Sequence, residues 1–183
     1  MTGKPGARTG RREVCAAGDH GRREAGAAHD RLQEAEAGRT HRSSGAGRLP
    51  AVGERASFSK TITETDVVLY AGLTGDFNPV HVDGRAAARS LFNRRVAHGL
   101  LTAGLISTVL GTKLPGPGSI YLGQELRFTR PVFIGDTVTA TVEVVEVVAE
   151  NRKVRLRTVC TNDRGETVIE GEALVMVADL PAD

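Results

Sequence analysis

Gly75-Asp76-Phe77-Asn78-Pro79-Val80-His81-Val82-Asp83 sets an acid and an imidazole five residues apart around an Asn-Pro corner. Pro79 fixes its own φ and disfavours helical angles at Asn78. The segment is therefore expected to form a stiff turn that aims Asp76 and His81 at one point. A carboxylate and a histidine aimed together form a general acid–base pair. An isolated pair at this spacing is more often a turn cap beside a half-buried histidine. Here Gly75, Asn78-Pro79 and Asp83 surround the pair, and the choice between the two readings turns on the resemblance that this company carries.

The flanking sequence predicts the frame. Ser57 to Ile62 alternates like a strand. Thr63 and Asp66 resemble a capping pair, opening a short helix through Val67, Val68, Tyr70 and Ala71 that Gly72 and Gly75 end. Asp83 reads as the N-cap of a short helix from Arg85 to Arg89. His98 to Leu110 is apolar nearly all round. It predicts a buried core helix, too short to cross a membrane. Pro115 to Gly118 closes it as a loop. Ile120 to Phe128, Thr137 to Val148, Val154 to Thr161 and Thr167 to Val177 are rich in β-branched residues and largely alternate, as strands do. Turns are expected at Glu150-Asn151 and at Asp163-Arg164-Gly165. The fold class is α+β, an antiparallel sheet around one central helix.

The nine-residue stretch resembles the signature of the MaoC-like, (R)-specific enoyl-CoA hydratases, which have the hot-dog fold. The resemblance covers about 52–178. It extends through Pro115-Gly-Pro-Gly-Ser-Ile-Tyr-Leu-Gly-Gln124 and Phe128-Thr-Arg-Pro131-Val-Phe-Ile-Gly-Asp136, both typical of the short monofunctional members. It implies a homodimer acting on an acyl-CoA thioester. The implied reaction is hydration of trans-2-enoyl-CoA to (R)-3-hydroxyacyl-CoA, which in polyester-storing bacteria feeds polyhydroxyalkanoate synthesis from β-oxidation. Asp76 and His81 would be the catalytic pair. Gly99 would supply the oxyanion N–H at the start of the central helix. Ser107 would lie close to the catalytic Asp. Asn78 would orient the water or, more in keeping with an Asx residue, hold the turn. His98 would pack and bond locally. Leu105, Val109 and Leu110 would be core that also walls the acyl pocket. An acyl-carrier-protein dehydratase of fatty-acid synthesis uses the same pair in reverse. A hot-dog thioesterase would carry an acid on the central helix, and residues 98–110 have none. A non-catalytic acyl-binding subunit would be expected to lose Asp76 or His81, and both are present.

Residues 1–50 have a different character. They hold nine Arg, nine Gly and no Ile, Phe, Tyr or Trp. A segment so poor in large apolar groups cannot offset its ordering entropy, so a disordered extension is expected there, with the domain at 51–183. The extension carries net +4 and the domain net −2. The basic balance thus gives no folded nucleic-acid face. The extension has no apolar h-region, and its six acidic residues argue against a transit peptide. Cys15 and Cys160 form no disulfide framework, which fits a reducing cytoplasm. No membrane span is expected. No cofactor or metal is expected either, because His20, His29 and His41 lie in the extension and no zinc spacing occurs. A chain beginning near Pro50 is expected to melt at the full-length temperature and to hydrate crotonyl-CoA at the full-length rate. Differential scanning fluorimetry and loss of the conjugated thioester absorbance check both.

Overall fold

The β-branched segments pair antiparallel into one five-stranded sheet, in the order β1-β3-β4-β5-β2. In this computed structural model, which describes residues 48–178, the strands are β1 Arg55–Thr61, β2 Ser119–Phe128, β3 Thr137–Val148, β4 Lys153–Thr161 and β5 Thr167–Val177. Between β1 and β2 run α1 Glu64–Thr74, α2 Pro79–Val82, α3 Gly84–Ala88 and α4 Gly99–Thr112. A 3-10 turn, Ala149–Asn151, joins β3 to β4 where a plain turn was expected. The expectation of disorder falls on residues 1–47, outside the described residues. Its boundary is corrected: Pro50 is buried, Leu49 packs against the core, and Arg48 pairs with Glu54 at 2.7 Å.

Alternation along the strands builds the core. Val138, Ala140, Val142 and Val144 of β3 are buried, and so are Val154, Leu156 and Cys160 of β4. The period breaks at Val145, where a bulge shifts the register with β4 between Val144 and Glu146 and leaves Val145 exposed. Leu105, Ile106, Val109 and Leu110 of α4 pack onto the sheet. Each such burial is worth roughly 1.5–3 kcal/mol. The expected all-round burial of this helix is corrected. Leu100, Gly104, Ser107 and Gly111 lie along one exposed stripe, spaced at three and four residues. Cys160 sits in the core, and burial pushes its thiol up to about 12, so it is no nucleophile near neutral pH.

The local signals act as expected at α1. Thr63 and Asp66 form a reciprocal capping box, and Gly75 ends the helix in the left-handed region at φ 78°. The helix runs through Gly72, which has no capping role.

Gly171 of β5 lies where β2 crosses it. A Cβ there would stand 1.9 Å from the Glu125 carbonyl oxygen. Gly171→Ala is expected to destabilise the domain by about 1–3 kcal/mol, lowering the melting temperature by roughly 5–10 °C. Gly123→Ala, whose new methyl meets nothing within 4 Å, is the control. Equal melting temperatures for the two variants would contradict this account of the crossing.

Candidate active site

The turn after α1 is built from its own polar side chains. The Asp76 amide donates to Thr74 Oγ1 at 3.3 Å, and Asp76 Oδ1 accepts from the Asn78 amide at 3.2 Å. Asn78 Oδ1 then accepts from the Val80 amide at 3.3 Å, capping α2. The stretch expected as a plain turn thus contains one helical turn. Pro79 stands at its first position, where the missing N–H costs nothing and the fixed φ suits a helix. Asp83 ends α2 and caps α3, its Oδ1 accepting from Arg85 N at 2.8 Å and Ala86 N at 3.2 Å.

These caps present Asp76 and His81 to one cavity of about 780 Å³. Asn78, Tyr70, Phe92, His98, Gly99, Leu100 and Phe128 also line it. His81 Nδ1 lies 2.8 Å from the Val96 carbonyl oxygen. A carbonyl only accepts, so Nδ1 carries the hydrogen and Nε2 is left for chemistry. Arg95 donates Nε–H to the His81 carbonyl at 2.6 Å and pairs with Glu64 at 2.6 Å, clamping α2 to α1. Nothing in the sequence singled out Arg95, because its partner is a backbone oxygen fourteen residues away.

Ligand atoms of Asp76, His81 and His98 lie within 4.8 Å of one another. A single water donating or accepting two bonds of ordinary length spans about 4.6 Å. A ligand atom of each residue thus lies at a distance comparable to that span. The two imidazoles are in contact, with centroids 3.9 Å apart and planes tilted by 32°. His98 Nε2 is already engaged with the Asp76 carbonyl oxygen at 2.9 Å.

Gly99 opens α4 at the cavity. His98 is the N-cap, but its side chain makes no capping bond. The first backbone donor satisfied within the helix is Thr102 N, to the His98 carbonyl. The amides of Gly99, Leu100 and Leu101 have no partner among the described residues. Uncapped helix N–H groups carry partial positive charge and are aimed donors for an oxyanion. A Cβ at Gly99 would meet Phe128 Cε1 at 2.8 Å, so any larger residue there would have to displace the Phe128 ring from this wall.

Four expected site residues lie elsewhere. Ser107 is on the exposed stripe of α4 and does not line the cavity or bond near Asp76. Leu105, Val109 and Leu110 belong to the core rather than to the cavity wall. A helix turns its sheet-facing side chains away from a cavity at its own N-terminus. The apolar wall comes instead from Phe92, Val96, Leu100, Phe128, Val132 and Ile169.

Residues 49–169 match the MaoC-like domain family. An (R)-specific enoyl-CoA hydratase of Rhodospirillum rubrum is 57% identical over 125 residues, covering 68% of this chain and 86% of its own. Among solved structures, the R-hydratase PhaJ1 of Pseudomonas aeruginosa aligns with a TM-score of 0.67 at 43% identity, covering 73% of this chain and 92% of that one. The (R)-hydratase of Aeromonas caviae, described as involved in PHA biosynthesis, gives 0.68 at 44% identity, covering 70% and 97%. The chain belongs to the MaoC-like domain family, and its fold is the hot dog expected from the signature.

Asp83→Ala is expected to cost about 1 kcal/mol through loss of the α3 cap, seen as a lower urea midpoint. Asp83→Asn, which keeps an accepting oxygen, should stay near the parent. Equal midpoints for all three chains would remove the cap from the account.

Proposed function

We propose that the protein hydrates trans-2-enoyl-CoA to (R)-3-hydroxyacyl-CoA. The observation that carries this reading is the clustering of Asp76 and His81, with ligand atoms within 4.8 Å of each other, beside the uncapped start of α4. Adding water across a double bond is redox-neutral. It needs a group to take a proton as the water oxygen bonds to C3, and a group to deliver a proton to C2. Asp76 Oδ2 and His81 Nε2 are the atoms that the hydrogen bonds of the turn leave for these transfers. Electron density moves from C3 toward the thioester oxygen during addition, and the Gly99 N–H is the donor for it. In comparable sites one such donor is worth about 3 kcal/mol. The reaction balances without a metal or redox cofactor, so none is proposed. Substrate carrier and product hand follow the hydratase relatives, as does a part in polyhydroxyalkanoate supply.

The working unit proposed is a homodimer. β2 is a sheet edge, and Ile120, Tyr121 and Leu122 on it are exposed. Phe128, a cavity wall, is itself 53% exposed. A second copy laid along this edge and the exposed α4 stripe would cover all of these. No helix among the described residues is long and apolar enough to cross a membrane, and the cytoplasm is proposed as the site of action.

Asp76→Ala and His81→Ala are each expected to lower crotonyl-CoA hydration by about 10²–10⁴-fold with little change in melting temperature. The product should be oxidised by an (R)-specific 3-hydroxyacyl-CoA dehydrogenase and not by an (S)-specific one. EDTA should leave the rate unchanged. Parent-like turnover in either variant, or an (S) product, would refute the reading. A faster rate on a crotonyl acyl-carrier protein would reassign the carrier.

A further inference from the structure

We propose that His98 is a positioning residue for this reaction, holding Asp76 and His81 in register with one another. The proposal rests on the hydratase reading and goes beyond it, to a residue that touches both members of the pair.

His98 occupies the N-cap of α4, a position that Ser, Thr, Asp and Asn serve well because their short side chains reach back to the helix amides. Its side chain does not do so. The ring turns instead into the wall of the cavity, where the residue is 2% exposed. There Nε2–H donates to the Asp76 carbonyl at 2.9 Å, across twenty-two residues of sequence. One face of the ring lies on His81, with centroids 3.9 Å apart. Tyr70 of α1 packs against the same ring at 4.9 Å. Nδ1 is buried with no partner. A leucine or phenylalanine would fill this space without leaving a polar atom unpaired. The Nε2 contact is what an apolar residue could not supply.

That contact matters because Asp76 is otherwise weakly held. It follows Gly75, whose backbone is left-handed, and its remaining ties are local: its amide donates to Thr74 Oγ1 and its side-chain Oδ1 accepts from the Asn78 amide. The bond from His98 is the tie that reaches it from another part of the fold. His81 is fixed at one ring edge by the Val96 carbonyl. The His98 ring against its face opposes the remaining rotation. Loss of His98 releases the Asp76 peptide and one side of the His81 ring together. A shift of about 1 Å in such a pair can cost about 10²-fold in rate while substrate still binds.

The test measures crotonyl-CoA hydration for the parent, His98→Ala, His98→Gln and His98→Phe. Gln keeps an N–H donor at similar reach, and Phe keeps the ring without the donor. The expected result is a fall in kcat of about 10²-fold for Ala, with KM within threefold of the parent, and at least tenfold recovery in Gln over Ala. On an Asp76→Asn background, His98→Ala should cost at least threefold less than it does in the parent, because one of the two groups that it positions is already removed. A folded Ala variant with kcat within threefold of the parent would overturn the proposal. So would a KM rise at constant kcat, or the full loss repeated on the Asp76→Asn background. If His98→Ala does not fold, Gln must exceed Phe in kcat by tenfold or more, and equal rates overturn the proposal. An inactive parent would refute the hydratase reading separately. In resting protein, amide hydrogen exchange of residues 76–81 should rise tenfold or more in His98→Phe and not in His98→Gln. Unchanged exchange in His98→Phe overturns the positioning role whatever the turnover.

Discussion

The extended crossing from Arg95 to His98 holds the site together. Val96 bonds the active-site turn through both its backbone groups, its N–H to the Val80 carbonyl at 3.2 Å and its carbonyl from His81 Nδ1 at 2.8 Å. Ala97 ties the same crossing to the Val132 carbonyl at 2.8 Å, beside the Val96–Phe133 bridge. Arg95 and His98 add one bond each to the turn. Val96, Ala97 and His98 are buried, so these bonds form where water does not compete and each is electrostatically stronger for it. The turn, the start of α4 and the loop ahead of β3 are therefore joined in one hydrogen-bonded network.

Capping divides the helices by task. Thr63, Asn78 and Asp83 close α1, α2 and α3 with side-chain oxygens. The longest helix, α4, starts with no such group. A cap there would contribute about 1 kcal/mol by accepting from the Leu100 or Leu101 amide, and would place its side chain beside the Gly99 N–H. The three capped helices flank the turn that contains Asp76, and α2 carries His81 itself. The long one is stabilised by its sheet contacts and can leave its donors open.

The frame was legible because it rests on local rules. Thr63 with Asp66, Pro79 after Asn78, and Asp83 before Arg85 each act within a few residues, and the strands follow period two. Pro79 shows the limit of that reading: it breaks the preceding backbone and also starts a helical turn, and the sequence announces only the first effect. The burial of α4 was overstated because Gly104, Ser107 and Gly111 read as apolar-compatible wherever they point. Ser107, Leu105, Val109 and Leu110 were placed at the site by resemblance, whereas the rotation of α4 on the sheet turns them to the surface or the core. His98 and Arg95 were undervalued because their partners are backbone oxygens distant in sequence, which leave no pattern in side-chain identity.

Those partners have a further consequence. His81 is oriented by the carbonyl of Val96, and the crossing is pinned by the carbonyls of Val80 and Val132. A peptide oxygen is present whatever side chain stands at the position. Val96 and Val132 are also walls of the cavity. Their side chains can be exchanged to reshape the space for the acyl group while their main-chain oxygens go on anchoring the chemistry. Selectivity and reactivity are thereby written on different atoms of the same residues, and the first can drift without erasing the second.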